Sequence, residues 1–360
     1  MTRCAITECK DYTDNELDAA FKRIIENSEF PDVKGKTVLV KPNILSDAPK
    51  EKAITTDCRA LSALLKYLND EGACKIIVGD SPGTQTGKLS AKNSGIADVV
   101  IASGATLSDF REENRIHTID GTRIPMAAAL DEADVVISFA KFKTHQLMSA
   151  TGAVKNMFGT IPGLNKSPLH LRYRTPESFA AFLMKVYQEC HVNYAFIDAV
   201  IGMEGPGPGS GSPRHVGLLM GSANGYALDR AEALIMGYSS IPLIETAEKL
   251  VPGISDATFP LLHPSQLIIK DYIRIGEGKK GTFRSLVLGT ILNFFKRGST
   301  DSRPRPVFDA AKCKACSRCV NVCPAKALKI VDGHVSFDKK KCIKCYCCHE
   351  MCPFDAIKVK

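Results

Sequence analysis

Short apolar runs alternate with amphipathic stretches along residues 1–281. The runs TVLV (37–40) and KIIVG (75–79) are rich in β-branched residues and predict strands. Between them, four leucines share one face of a helix predicted over 56–71, which Gly72 ends. This strand–helix–strand order, with strands that are apolar throughout, predicts an α/β fold with a mainly parallel sheet and helices on both faces.

The same alternation continues through the rest of this region. Further buried strands are predicted over 133–140, 194–201 and 216–221. Further helices are predicted over 176–189, 226–236 and 243–250. The pattern therefore assigns residues 1–281 to one α/β domain that binds a substrate or a partner.

Residues 282–306 differ from what precedes them. The stretch over 284–297 has an apolar helical stripe and basic ends, and packing against a core or another subunit is favoured over a membrane-surface helix. Residues 298–306 (GSTDSRPRP) have the composition of a linker. A small ferredoxin-like α+β domain is expected over 307–360.

Two cysteine runs with identical spacing dominate this last segment. They read CKACSRCVNVCP (313–324) and CIKCYCCHEMCP (342–353). In this spacing, the first three cysteines of a run bind one [4Fe–4S] cluster and the fourth reaches the other cluster. Two clusters are therefore expected, one on Cys313, Cys316, Cys319 and Cys352 and the other on Cys342, Cys345, Cys348 and Cys323. Zinc, which needs only four ligands, explains two runs of four poorly. The segment resembles the bacterial two-cluster ferredoxins.

Charge and targeting features refine the picture. Residues 307–360 contain eleven Lys or Arg and five Asp or Glu, which favours an acidic redox partner such as a ferredoxin or flavodoxin. Basic residues do not interleave with aromatic ones, so nucleic acid is not an expected partner. No run reaches the roughly 18 apolar residues of a transmembrane helix, and the N-terminus lacks a signal-peptide core. A cytoplasmic protein is expected, and homo-oligomer formation stays open.

Polar residues follow several predicted strands, at KPN (41–43), DSPG (80–83), KFKTH (141–145) and GMEGPGPGSG (202–211). Because the carboxyl ends of parallel strands meet at one edge of a sheet, these residues should line one pocket. The expected binding residues are Lys41, Asn43 and Asn156, with Asp198 and Glu204 on the far wall. The expected catalytic residues are Lys143, Lys155, His145 and His170, the histidines being the proton donors. A small anionic ligand would balance the lysines, although ordinary surface charge is the competing interpretation.

Several of these runs together resemble a known family. KPNI, TTDCRAL, VGDSPG, KFKTHQLMSATGAVKNMFGTIPG and DAVIGMEGPGPGSG are similar to the domain-of-unknown-function family 362. The resemblance covers most of residues 36–240 and is most specific at KTH…TGAVKN…G. It implies a cytoplasmic iron–sulfur protein, of a kind common in anaerobes, that often carries a C-terminal two-cluster module. It implies no settled reaction.

Three functions fit these features. The first is an iron–sulfur oxidoreductase that passes low-potential electrons to or from a small anion at the edge of the sheet. The second is an electron-transfer or cofactor-maturation subunit whose α/β domain docks a partner protein. The third is a non-redox enzyme whose clusters sense redox state or stabilise the fold. The absence of a recognisable flavin or nicotinamide motif leaves the substrate-side redox step open.

Overall fold

The computed structural model describes residues 1–83, 87–275, 301 and 303–360. The helix predicted over 284–297 and part of the linker predicted over 298–306 lie outside these residues. Within the described ranges, no helix combines the length and the apolar character needed to cross a lipid bilayer.

Eleven strands are described before residue 276. They are β1 (Thr2–Glu8), β2 (Thr37–Pro42), β3 (Lys75–Asp80), β4 (Thr106–Asp109), β5 (Asn114–Ile119), β6 (Thr122–Ala127), β7 (Val135–His145), β8 (Ser149–Ala150), β9 (Tyr194–Glu204), β10 (Ser212–Ser222) and β11 (Ala257–Thr258). All except β5 and β6 belong to one sheet, whose order is β11-β1-β10-β9-β7-β2-β3-β4, with β8 paired to β7. Strands β5 and β6 form a separate hairpin.

Ten α-helices accompany these strands in the same described region. They are α1 (Asp14–Glu26), α2 (Cys58–Asp70), α3 (Gly87–Asn93), α4 (Ile96–Ala102), α5 (Ala129–Glu132), α6 (Gly152–Asn156), α7 (Lys166–Arg172), α8 (Pro176–Glu189), α9 (Gly225–Ile235) and α10 (Pro242–Leu250). Short 3₁₀ turns lie at Lys50–Lys52, Met157–Thr160, Gly163–Asn165 and Pro264–Gln266.

The central part of the sheet is parallel, as predicted. Strands β4, β3, β2, β7 and β9 are joined by parallel pairings. Strand β10 differs, because it pairs antiparallel with both β9 and β1. The loop that joins β9 to β10 is short enough to return the chain directly, so no crossover helix is needed there. The carboxyl ends of the parallel strands lie along one edge.

Helices cover both faces of the sheet. Ala140 and Ile197 face the apolar layer that contains α6, α8, α9 and α10. Phe139 and Phe196, their neighbours in sequence, face the opposite layer with α1, α2 and α4. Alternate strand residues thus bury apolar surface on two sides, at about 1.5–3 kcal/mol for each large side chain. This arrangement confirms the predicted mainly parallel α/β fold.

Local sequence signals set several helix boundaries where they were predicted. Helix α8 begins at Pro176 after Thr175, whose hydroxyl accepts from the Ser178 N–H at 3.1 Å in a capping box. Helix α2 begins after Asp57, which accepts from the Arg59 N–H, and ends just before Gly72 with its φ of +79°.

Two strands are longer than their apolar runs suggest. Strand β7 continues through KFKTH to His145, and β9 continues to Glu204. The alternation of Lys141, Lys143 and His145 with Phe142 and Thr144 has the period of a strand, which explains the extension. These charged residues therefore lie within the sheet and are buried, instead of lying on a loop beyond it.

The C-terminal segment forms a small α+β unit, here called the cysteine module (303–360). Its strands are β12 (Pro306–Phe308), β13 (Leu328–Val331), β14 (His334–Phe337) and β15 (Ile357–Val359), and its helices are α11 (Arg318–Val322) and α12 (Cys347–Glu350). Strand β12 pairs with β15, and β13 pairs with β14, both antiparallel. The small ferredoxin-like α+β architecture is as predicted.

Candidate functional site

Eight cysteines of the module surround two separate spaces. The first cysteine ring consists of Cys313, Cys316, Cys319 and Cys352, around an open space of about 380 Å³. The second cysteine ring consists of Cys323, Cys342, Cys345 and Cys348, around about 340 Å³. Each ring takes three cysteines from one run and the fourth from the other run, which is the crossed arrangement that the spacing predicts.

The rings fit an iron–sulfur cluster in their chemistry. Each offers four thiols, the ligand type of [4Fe–4S] centres, and apolar side chains such as Phe308 and Leu328 complete the walls. Each ring thus has the full set of four thiols that one [4Fe–4S] centre needs.

A third space, here called the edge cavity, lies at the carboxyl edge of the parallel strands. It has an empty volume of about 720 Å³, which includes open solvent. The α/β domain contributes most of its polar lining, which includes Lys41, Asn43, Asp80, Ser81, His145, Lys155, Asn156, Lys166, Ser167 and His170. The cysteine module closes one side with Val322, Cys347, Glu350 and Met351.

Lys41 and Asp80 form a buried ion pair in the wall of the cavity. The Lys41 Nζ lies 2.8 Å from Asp80 Oδ1 and donates to Asn156 Oδ1 and the Pro42 carbonyl, each at 2.9 Å. These contacts use the three donors of the amine. Burial lowers the pKa of Lys41, and Asp80 opposes this shift. Lys41 is therefore braced by the protein and keeps no N–H for a ligand.

Gly159 makes room for this pair. A Cβ at this position would lie 2.7 Å from Lys41 Nζ and closer still to Asp80 Oδ1. Asn156, three residues earlier, also accepts from Asn43 Nδ2 at 3.1 Å and donates to the Lys41 carbonyl at 3.0 Å. The GAVKNMFG run thus acts as a brace behind the cavity.

His145 presents a hydrogen-bond donor to the cavity. Its Nδ1 accepts from the backbone N–H groups of Leu147 and Met148, both at 3.2 Å, which places the ring proton on Nε2. That Nε2 donates to Glu350 Oε1 at 2.6 Å. Burial, and then Lys155, lowers the pKa of His145 to about 4. At neutral pH His145 is therefore neutral and donates through Nε2.

Glu350 is the carboxylate that the cysteine module contributes to the lining of the edge cavity. Burial alone would raise the pKa of Glu350, but His145, Lys155 and His170 together hold it well below its usual value. Lys155 makes no hydrogen bond or ion pair with any residue in the described part of the chain. Its pKa is lowered by burial and partly restored by Glu350. Lys155 is thus a half-buried amine with no contact partner.

Lys166 has a pKa close to neutrality. Burial lowers the pKa of Lys166 to about 7, and its amine donates one hydrogen bond to the Ser81 carbonyl at 2.5 Å. His170 stacks on Phe179, and burial lowers the pKa of His170 to about 4. Among the described residues, His170 Nδ1 and Asn43 Oδ1 are buried without a hydrogen-bond partner. Both belong to the lining, so the cavity contains unused polar atoms.

Three residues expected at this pocket lie elsewhere. Lys143 donates to the Ile54 carbonyl at 2.6 Å, and burial lowers its pKa strongly. Asp198 accepts from Lys141 Nζ at 2.7 Å, on the α2 side of the sheet. Glu204 accepts from the Ile273 N–H at 3.1 Å. Side-chain alternation along β9 places Asp198 on the α2 face of the sheet. Lys143 shares a face of β7 with His145, but its amine is held by the Ile54 carbonyl.

The loop GPGPGSG (205–211) contacts the cysteine module. The Pro206 carbonyl lies 3.1 Å from His349 Nε2, and Ser210 donates to Asp355 Oδ1 at 2.7 Å. A Cβ on Gly207 would overlap the Thr144 carbonyl, which fixes the loop against β7. Gly207 therefore serves close packing of the loop within the α/β domain, while Pro206 and Ser210 contact the module.

The edge cavity and the second cysteine ring share a wall. Val322 and Cys347 line the cavity, and each directly precedes a cysteine of the second ring, Cys323 and Cys348. Cys347, the odd thiol of its run, belongs to the cavity and not to either ring. The first ring includes the exposed Cys316 and is bordered by Phe354, which is 41 % exposed. One ring thus faces solvent and the other adjoins the cavity.

Sequence reasoning missed Glu350 as a cavity residue and gave Lys166 no specific role. Lys166 stands in a basic run that the sequence shows, but its burial depends on the fold. Glu350 follows His145 by 205 residues, and nothing local in CHEM (348–351) indicates that it reaches the sheet edge.

Two family models match the chain. Residues 38–233 match the model described as a domain of unknown function (DUF362), and residues 305–353 match a 4Fe-4S dicluster domain. The second match indicates iron–sulfur electron transfer by the module. The first match spans more than half of the chain. It includes every residue that the α/β domain contributes to the edge cavity.

Individual proteins with similarity are more distant. A thylakoid-associated protein of Synechocystis sp. is 29 % identical over 244 residues, which cover 66 % of this chain and 76 % of that protein. The lactate racemase apoprotein from Thermoanaerobacterium thermosaccharolyticum has a TM-score of 0.42 and 14 % identity, over 67 % of this chain and 58 % of that one.

Proposed function

The chain belongs to the DUF362 family, and from this premise we propose that it is an iron–sulfur oxidoreductase whose substrate is a small anion bound in the edge cavity. Low-potential electrons would pass to or from that anion through two [4Fe–4S] clusters. One cluster is held by the first cysteine ring and the other by the second. When bound, each cluster supplies or accepts one electron at a time.

The shared wall between the second cysteine ring and the edge cavity carries this proposal. Val322 and Cys347 line the cavity, and each is the sequence neighbour of a cysteine of that ring, Cys323 or Cys348. The first ring, with the exposed Cys316, is suited to exchange electrons with a partner protein. Lys314 and Arg318 border it, so the partner is an acidic redox protein such as a ferredoxin or flavodoxin.

The residues of the α/β domain bind and orient the substrate. His145 donates through Nε2, and the unpaired Lys155 attracts negative charge. Lys41, Asp80 and Asn156 hold the wall in place through their own contacts. Lys166, with its pKa of about 7, is the residue that gives up or takes a proton when the charge of the substrate changes.

The test uses full-length protein purified without oxygen. Small molecules that co-purify are identified by mass spectrometry, and the reduced protein is then mixed with each candidate anion. Optical reoxidation of the clusters is followed in the parent and in Lys155→Ala. The variant should be reduced by ferredoxin at the parent rate but reoxidised by the anion about tenfold more slowly, since one ionic contact is lost.

Two results would redirect the proposal. If Lys155→Ala is reoxidised as fast as the parent, the edge cavity is not the substrate site. If the clusters exchange electrons with a partner protein but no small anion reoxidises them, the electron-transfer or maturation alternative replaces the oxidoreductase.

A further inference from the structure

We propose that the edge cavity recognises a carboxylate, and that Glu350 is an internal stand-in which the carboxylate of the substrate displaces. This inference rests on the proposed function, because it names the class of anion and the residue that competes with it. The substrate is then a small carboxylic acid in its ionised form.

The contacts of Glu350 are those of a bound carboxylate ligand. Its Oε1 accepts from His145 Nε2 at 2.6 Å, and the backbone N–H groups of Leu147 and Met148 fix the tautomer that makes this bond. Within the described chain, Glu350 makes no second side-chain hydrogen bond. A carboxylate delivered from solution meets the same donor, and Glu350 can leave by rotating its own side chain.

Around Glu350, the cavity lining contains one more lysine than carboxylate. Lys41 and Asp80 neutralise each other at 2.8 Å. Lys155 has no contact partner among the described residues, and Lys166 uses one of its three donors on a carbonyl. Glu350 and Asp80 are the carboxylates that act on both of these lysines, and Asp80 is already paired with Lys41. A second carboxylate is thus attracted, but two carboxylates on one donor repel each other, so the substrate replaces Glu350 on His145.

Donor geometry favours a carboxylate over a phosphate. Phosphate sites commonly use the free N–H groups of a helix N-terminus or an arginine fork. Near the cavity, the first N–H groups of α6 are already taken, because Asp229 accepts from Ala153 at 2.5 Å and from Val154 at 3.1 Å. What remains is one imidazole N–H, the ammonium of Lys155 and the unused donors of Lys166. The imidazole N–H together with one ammonium suits the two oxygens of a carboxylate.

The apolar lining of the cavity indicates the character of the rest of the acid. Ile44, Leu45 and Phe158 give it an apolar floor, and Val322 and Met351 complete the side next to the module. A carboxylate on His145 and Lys155 therefore leaves a less polar part of the molecule beside Val322 and Cys347. That is the wall shared with the second cysteine ring.

The experiment measures binding of acetate and of inorganic phosphate to the full-length, cluster-loaded protein by anaerobic calorimetry. Glu350→Ala should bind acetate about tenfold more tightly than the parent, because the competing carboxylate is gone. Glu350→Gln, which keeps the volume, should show a smaller gain. Lys155→Ala placed on Glu350→Ala should remove the gain. Phosphate affinity should not rise in step with acetate affinity.

Asp355→Asn is the matched control. Asp355 is also a carboxylate that joins the module to the α/β domain, through Ser210 at 2.7 Å, but it does not line the cavity. Its replacement should leave acetate affinity unchanged. An equal gain in Asp355→Asn would mean that loosening the module, not freeing His145, admits acetate, and the inference would fall.

A second measurement covers the case in which Glu350→Ala loses iron. Carbon-13 acetate is added to the dithionite-reduced parent protein and to Lys155→Ala, and broadening of its resonance by the paramagnetic module is recorded. Broadening in the parent and its loss in Lys155→Ala supports the site. The inference is overturned by equal broadening in both, by Glu350 variants without any gain, or by phosphate gaining as much as acetate.

The outcome is separable from that of the proposed function. Acetate binding that follows Glu350 and Lys155, in a protein whose clusters no anion reoxidises, supports the carboxylate site and refutes the oxidoreductase. Reoxidation by an anion that ignores the Glu350 variants supports the oxidoreductase and refutes the carboxylate site.

Discussion

The Nε2 atom of His145 lies 2.6 Å from Oε1 of Glu350, and this contact joins strand β7 of the α/β domain to helix α12 of the cysteine module. Both side chains are largely shielded, at 3 % and 17 % exposure. This hydrogen bond is one of the contacts that join the cysteine module to the lining of the edge cavity.

Replacing His145 should loosen the module. In His145→Ala the Glu350 carboxylate stays buried without its donor, which should cost about 2–4 kcal/mol of unfolding free energy. Denaturant unfolding of the anaerobic protein measures this. His263→Ala is the control, because His263 is exposed and bonds only locally to Ser265. Equal stability of the two variants would show that the contact contributes nothing.

Ligand affinity should depend on pH through Lys166, whose pKa is about 7. Below that pH the amine is charged and acetate affinity is flat. Binding an anion raises the pKa of Lys166, so affinity falls as pH rises above about 7 and levels off at the higher pKa of the complex. Lys166→Met should bind acetate more weakly at low pH and lose this decline. Lys66→Met, at an exposed lysine paired with Asp18, should keep it.

Calorimetry across this pH range measures the acetate affinity of the parent and of both variants. A decline that persists unchanged in Lys166→Met would assign the titration to another group, and the proton-transfer role of Lys166 would be withdrawn.

The crossed arrangement of the rings predicts which pairs of cysteine substitutions remove the same cluster. Cys352→Ser should lose about half of the iron, because a serine oxygen replaces one of four sulfurs in the first ring only. Adding Cys313→Ser should cause little further loss, whereas adding Cys342→Ser should remove nearly all of the iron. Iron analysis and low-temperature EPR provide the measurement.

Cys74→Ser is the control for this series, since Cys74 is exposed and belongs to neither ring. If Cys352→Ser and Cys342→Ser together retain as much iron as either alone, the two cysteines serve one cluster and the crossed assignment is incorrect.

Gly159 should not tolerate a methyl group. In Gly159→Ala the new Cβ overlaps the Lys41–Asp80 pair, so the pair must separate or the brace must shift. A loss of about 2–4 kcal/mol in unfolding free energy is expected, together with weaker acetate binding. In Gly209→Ala the Cβ meets only ordinary contacts at 3.6 and 3.7 Å, so this variant should match the parent. Equal stability of the two variants would contradict the packing argument.

Sequence patterns were sufficient where the governing interactions are local. Thr175 and Pro176 define the start of α8, and the two cysteine runs contain their own spacing. Strand β7 is longer than the predicted strand over 133–140. The charge of Lys141 and Lys143 indicates a strand end, but their alternation with Phe142 has the period of two that a strand requires.

Long-range geometry limited the prediction of the site. Lys41, His145, Lys155 and Asn156 converge because parallel strands end at one edge, which topology alone suggests. The opposite placement of Asp198 depends on which face of β9 it occupies, and it pairs there with Lys141. The docking of Glu350 depends on how two folded units pack, for which a single sequence carries no local pattern.

Helix α12 spans only Cys347–Glu350, yet it contains a cysteine of the second ring, a thiol of the cavity wall and the carboxylate bound to His145. Cys348 packs with Cys319, Leu328 and Ile357, but four residues are too few to stay helical alone, so cluster ligation at Cys348 would help to hold this helix in place. Loss of iron would therefore loosen the side of the cavity that the module closes. The iron supply of the cell would then act on the cavity as well as on the clusters.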